Sequence, residues 1–202
     1  MELKNKTLVF LGSSVTYGSA AGGFSMCEYL SETTGANVVK WAVSGTTLAD
    51  TDETSYVSRM ISEMESQDKC DCFIVQLSTN DAGHGCELGT ISDSFDRAEF
   101  DRTTTLGAIE FIISAALEKW NCPIAFYTGT YFDRPHYQIM VDKLHEISRK
   151  WNIGVIDLWN DSEMRAVSAE DYAMFMNAPV HPTKIGYEKW WGPKFAEYLE
   201  KK

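Results

Sequence analysis

Five short β-favouring runs alternate along this chain with stretches whose apolar residues recur at helical spacing, and few folds accept that order. The runs are Leu8 to Leu11, Asn37 to Val43, Cys72 to Leu77, Ile124 to Thr128 and Ile153 to Asp157. Each is too short for a helix, and Leu8 to Leu11 is apolar throughout, as suits a strand buried on both faces. Helical stripes occupy residues 24–34, 55–64, 103–120 and 137–151, and a last one starts at Pro182 and carries Trp190 and Trp191. Gly35 closes the first stripe, and Asn121-Cys122-Pro123 stops the third. The alternation predicts a parallel sheet covered by helices on both faces, a three-layer α/β/α arrangement.

With 202 residues, 44% of them apolar, the chain can bury one sizeable core, and a single domain over residues 1–202 is expected. Its formal charge of -11 argues against nucleic acid or an anionic membrane surface as partner, because both attract Lys and Arg, and here the cations are scattered. No apolar run reaches the roughly 18 residues of a membrane span. Met1 to Thr7 lacks the apolar region of a secretory signal, so a soluble cytoplasmic protein is expected. The five cysteines are odd in number and lack disulfide-framework spacing. Cys70-Asp71-Cys72 has no matching Cys or His pair, so no metal is expected. Trp190 and Trp191 are expected to pack inside the domain, and the oligomeric state stays open.

The first run leads into Gly12-Ser13-Ser14-Val15-Thr16-Tyr17-Gly18, which sets a serine beyond the carboxyl end of a strand, where open α/β sheets place their ligands. Read alone, Gly-Ser-Ser serves as well to turn the chain and cap a helix. A serine hydroxyl needs an adjacent base to act as a nucleophile, and the chain has four histidines. His145 falls in mid-helix, His136 at a helix start and His84 in a long loop, placements that suit ordinary helix or surface positions. His181 precedes Pro182, which biases it away from helical geometry and holds it on a turn at a helix entrance. Gly45 and Asn80 follow the second and third runs, and each on its own reads as a turn residue. Residues 82–102, rich in Gly, Ser and Asp and without periodicity, are expected to wall or cover part of a site at this edge.

Four stretches in this order resemble the SGNH, or GDSL-type, serine hydrolase family. Gly12-Ser13-Ser14-Val15-Thr16 is similar to its nucleophile block, with Ser13 where Asp is usual. Val43-Ser44-Gly45 falls at the second block, and Leu77-Ser78-Thr79-Asn80-Asp81 at the third, with Ser78 where Gly is usual. Val180-His181-Pro182-Thr183 resembles the block that carries the catalytic His. The resemblance implies a five-stranded, flavodoxin-like sheet with Ser14 as nucleophile and His181 as base. It implies an oxyanion hole built from the backbone N–H of Ser14, the backbone N–H of Gly45 and the side-chain amide of Asn80. No metal or organic cofactor is implied. The substrates implied are acetylated sugars, short acyl esters, lysophospholipids or acyl thioesters. An acidic chain without a long exposed apolar run suits a small polar substrate, so carbohydrate O-acetyl esters are the expected class. An unrelated nucleotide binder is disfavoured, because no G-x-G-x-x-G follows the first run.

The sequence departs from the family at one decisive position. The Asp that orients the family's His lies three residues before it, and here that position is Ala178. Alanine neither accepts the imidazole proton nor stabilises an imidazolium, and in a serine-protease triad an Asp to Asn change lowers turnover about 10⁴-fold. Three readings stand open: an inactivating Asp→Ala change; a Ser-His pair that works alone or takes a partner from Asp157, Asp171 or Asn177; and a silent carbohydrate-binding protein. A lysophospholipase or thioesterase of the same family is the enzymatic rival to the acetylesterase.

Overall fold

A computed structural model describes residues 2–201. Strand β1 (Thr7–Gly12) leads into a one-turn helix α1 (Ser14–Tyr17), and α2 (Met26–Thr34) into β2 (Asn37–Ala42). Helix α3 (Tyr56–Met64), β3 (Cys72–Gln76), α4 (Thr79–His84), α5 (Thr105–Trp120) and β4 (Ile124–Tyr127) follow. Then come α6 (Pro135–Trp151), β5 (Gly154–Ile156), α7 (Ser162–Arg165) and α8 (Ala169–Phe175). A two-stranded antiparallel hairpin, β6 (Met176–Ala178) and β7 (His181–Pro182), precedes α9 (Lys184–Gly186). A π-helical turn (Tyr187–Trp191) then joins α9 to α10 (Gly192–Glu200). Among the described residues no helix is long and apolar enough to cross a membrane.

The main sheet has five parallel strands in the order β2-β1-β3-β4-β5, the flavodoxin-like order. The pleat sends successive side chains to opposite faces, which is why continuous apolar runs build two cores at once. Val9, Leu11, Phe73, Val75, Ile124 and Phe126 face α3, α5 and α6. Leu8, Phe10, Cys72, Ile74, Ala125 and Tyr127 face α2 and the C-terminal helical segment, whose Tyr187, Trp191, Phe195 and Leu199 are buried among them. Trp191 is thus a core residue, while Trp190 is half-buried and stacks on Phe175 with ring centroids 5.6 Å apart.

The segments without periodicity hold more structure than their sequence predicts. Residues 158–180 contain α7, α8 and β6, each too short to reveal a period. Residues 92–100 of the stretch 82–102 turn onto the helices rather than over the site expected of them, while Arg102 stays on the loop after β2, its carbonyl accepting from Asp50 N at 2.8 Å. The backbone of 92–100 is tied to α5 and α6, with Ser92 N–H donating to Glu110 at 2.8 Å and Lys150 Nζ donating to the carbonyls of Ser92 and Ser94 at 2.6 Å each. Lys150 also meets the fully buried Glu110 carboxylate at 2.5 Å, and Phe95 and Phe100 pack on Trp151. A buried carboxylate needs such partners, and satisfying it draws the loop onto the helices.

Candidate active site

Strand β1 ends at Gly12, and the chain turns at once into α1, so Ser14 occupies the first helical position. The tightness of this turn depends on Gly12, because a Cβ there would overlap the Thr16 hydroxyl and crowd Gln76. Ser13 sits at the N-cap without using its side chain as a cap. Gln76, fully buried on β3, supplies the missing acceptor: its Oε1 takes hydrogen bonds from Ser13 N (2.9 Å), Thr16 Oγ1 (2.8 Å) and Thr16 N (3.3 Å). The Thr16 hydroxyl also lies 2.6 Å from that of Tyr127 on β4, so a polar chain crossing three strands fixes the serine turn from below.

The loop after β2 is held just as firmly. The Asp81 carboxylate, wholly buried, accepts from Leu48 N (2.8 Å), Ala49 N (3.0 Å) and Thr105 Oγ1 (3.1 Å). Burial pushes the Asp81 pKa above the usual carboxylate range, and those donors pull against the rise. Arg59 on α3 donates to the carbonyls of Trp41 (2.9 Å) and Gly12 (2.8 Å) and to Thr46 Oγ1 (3.0 Å), joining the first and second loops through one guanidinium. Burial lowers the Arg59 pKa, and carbonyl oxygens stand in for a carboxylate partner.

Asn80 lies in the first turn of α4, which Ser78 caps by accepting from Asn80 N at 3.1 Å. Its Nδ2 donates to Thr46 O at 2.8 Å, which orients the amide and leaves its second N–H free. Gly45 adopts φ +85°, a left-handed conformation open to glycine. The backbone N–H groups of Gly45 and Ser14 find no partner among the described residues. Three donors therefore stand unspent beyond the carboxyl ends of β1, β2 and β3.

The hairpin β6–β7 carries His181 to the same edge. Its Nε2 lies 2.8 Å from Ser14 Oγ, a contact that spans 167 residues of sequence. Burial lowers the His181 pKa below its ordinary value of 6.5, so the ring is neutral at pH 7 and able to accept a proton. In the tautomer that accepts from Ser14 the proton sits on Nδ1, and Nδ1 has no partner among the described residues. Ala178 is the residue paired with His181 across the hairpin. None of the three alternative donors fills the gap. Asp157 is engaged by His145 (2.8 Å) and by Asn160 Nδ2 (2.8 Å), Asp171 accepts from Ser168 Oγ (2.8 Å), and Asn177 is exposed without a bond to the imidazole.

Two of the other histidines, His145 and His84, stay out of this group. His145 pairs with Asp157 rather than standing free on its helix, and His84 ends α4 in solvent. Gln76, Arg59 and Asp81 are the supporting residues that sequence reading passed over. Only Gln76 carried a signal in the sequence, a polar residue closing the apolar run Cys-Phe-Ile-Val-Gln; Arg59 in an amphipathic stripe and Asp81 among polar neighbours carried none.

The sequence pattern of the GDSL-like lipase/acylhydrolase family matches residues 10–189, a span that includes all of these groups. The chain belongs to that family. Its fold recurs in a protein from Lactobacillus plantarum, 16% identical, with a TM-score of 0.79 over 98% of each chain. An acetyl xylan esterase shares it at 15% identity and a TM-score of 0.69, covering 96% of this chain and 99% of its own. A carbohydrate acetylesterase family member from Sinorhizobium meliloti does so at 11% identity and a TM-score of 0.65, covering 97% and 98%. No curated protein matches the chain at a significant level.

Proposed function

We propose that the chain is a serine esterase in which Ser14 is the nucleophile and His181 the general base. The observation that carries this reading is the 2.8 Å contact between His181 Nε2 and Ser14 Oγ. As Ser14 Oγ attacks an ester carbonyl, Nε2 takes its proton, then returns it to the departing alcohol oxygen. Water attacks the acyl-enzyme by the same route. The charge that develops on the carbonyl oxygen meets the N–H groups of Ser14 and Gly45 and the free amide N–H of Asn80. One such donor is worth about 10²–10³ in turnover in a well-studied protease.

The substrates we propose are small carboxylic esters, with O-acetyl groups on carbohydrates the favoured class. The acetylesterases that share the fold support this, as does the chain's acidic charge. No step of this chemistry requires a metal or organic cofactor. Ala178 leaves the imidazolium without a counter-charge, so turnover is slow in the protein as it stands. The same absence favours, as a second reading, a carbohydrate-binding protein that has lost catalysis.

One experiment separates the two. The protein is incubated with p-nitrophenyl acetate and with a serine-directed phosphonate, and the adduct is located by mass spectrometry. Labelling at Ser14, together with release of p-nitrophenol that Ser14→Ala abolishes, is expected. A Ser14 that stays inert both here and in Ala178→Asp leaves the binder.

A further inference from the structure

A cavity of about 550 Å³ opens by the turn that follows β4; none of Ser14, Gly45, Asn80 and His181 lines it. Its wall combines Thr130 and Tyr131 from the turn after β4 with Met164 and Arg165 of α7, Tyr172 of α8 and Trp190 of the π-helical turn. The rings of Tyr172 and Trp190 stand edge to face, centroids 6.2 Å apart. The Arg165 guanidinium lies 4.4 Å from the centroid of Tyr131, a ring that remains 47% exposed. Thr130 is only 4% exposed, yet its hydroxyl oxygen has no hydrogen-bond partner. Buried hydroxyls are nearly always paired.

The lining combines ring faces with a few hydroxyl and guanidinium groups and contains no carboxylate. Such a wall suits a flat molecule with an apolar face and a rim of hydrogen-bond acceptors, as a pyranose has. Arg165 Nε donates to Trp159 O at 2.8 Å, and a simple alkyl chain would offer its remaining guanidinium N–H groups no acceptor, whereas sugar hydroxyls would. The position fits an ester's alcohol side. Thr130 follows β4, two strands from the β1 edge that holds Ser14, or about 10 Å at ordinary strand spacing. Helix α8, which contributes Tyr172, runs directly into the hairpin that carries His181.

We infer that this cavity binds the pyranose ring of the alcohol that carries the acyl group; the inference rests on the esterase reading above. Two variants test it from opposite directions. Tyr131→Ala removes a ring face, and Ala169→Trp, on the exposed first turn of α8, fills the space without removing any wall. Xylotriose, followed by intrinsic tryptophan fluorescence, measures binding without chemistry, and acetylated xylo-oligosaccharides and p-nitrophenyl acetate measure turnover.

In both variants the xylotriose Kd and the KM for the acetylated oligosaccharide are expected to rise about tenfold, with kcat/KM for p-nitrophenyl acetate within about twofold of the parent. An unchanged xylotriose affinity overturns the assignment. So does an equal loss on both esters, which would make the cavity part of the catalytic scaffold. If xylotriose does not bind and the variants instead lose turnover on longer p-nitrophenyl acyl esters, the space is an acyl channel and the sugar assignment falls. Xylotriose binding that both variants weaken, in a parent that hydrolyses no ester, keeps the cavity assignment and removes the esterase reading alone.

Discussion

The substitution Ala178→Asp puts a carboxylate opposite His181 in the hairpin ladder, where the two residues are paired. Cross-strand partners have Cβ atoms about 4.5–5.5 Å apart, so the new carboxylate comes within reach of the unpartnered Nδ1–H. At a separation of about 4 Å and an effective dielectric near 20, a carboxylate and an imidazolium attract by about 4 kcal/mol. Both positions are half-buried, and residual solvent screening reduces this to about 3 kcal/mol. In the proposed reaction the imidazolium forms only as Ser14 gives up its proton, so the gain falls on the transition state and amounts to about 10²-fold in kcat. Fixing the productive tautomer adds to it, toward the roughly 10⁴-fold by which an Asp to Asn change slows a serine-protease triad. Steady-state hydrolysis of p-nitrophenyl acetate reads the change, and its pH dependence checks the cause. As the proposed base, His181 must be unprotonated, and burial lowers its pKa from 6.5, so the acid limb of kcat/KM is expected below that pH in the parent. A neighbouring carboxylate favours the imidazolium, so the limb moves to higher pH in the variant. A gain under about threefold, with Ser14 still labelled by phosphonate, would refute the reasoning on magnitude. A limb that moves to lower pH would refute it on sign.

Three further outcomes follow from the surrounding contacts. Gln76→Leu leaves the buried N–H groups of Ser13 and Thr16 without their acceptor and is expected to cost about 3 kcal/mol in urea unfolding, with loss of phosphonate labelling at Ser14. Glu110→Ala strands the Lys150 ammonium and releases the Ser92 backbone, for a loss of about 3–5 kcal/mol. Its esterase activity at low temperature should match the parent's, since that loop packs away from Ser14. Arg59→Met removes the donors that tie the Gly12 and Trp41 carbonyls to Thr46, and the expected result is a lower kcat on p-nitrophenyl acetate with KM little changed, because Gly45 and Asn80 lose their fixed register against Ser14.

Much of the architecture was legible along the chain, because strand and helix periods are local and the runs that form β1 and β3 are apolar without interruption. A parallel sheet with both faces covered follows from those runs, and the strand order and the positions of Ser14, Gly45, Asn80 and His181 came from the resemblance of four short blocks. The hairpin β6–β7 was not legible. With three and two residues its strands are too short to show a period, and they exist because Met176 pairs with Pro182 and Ala178 with His181. The destination of residues 92–100 is hidden for a related reason: it depends on Glu110 and Lys150, 40 residues apart in sequence, which meet only once α5 and α6 are packed.

The order of residues by itself determined that a serine follows the first strand and a histidine precedes the last helical segment, and that alanine occupies the position three residues before that histidine. Tertiary structure decided that those two side chains touch, that Gln76, Arg59 and Asp81 hold the loops around them, and that Asp157 and Asp171 are committed elsewhere. The physical reason is that periodicity and turn chemistry act over a few residues, whereas the hydrogen-bond contact between Ser14 and His181 spans nearly the whole chain and exists only when the fold has brought its ends together.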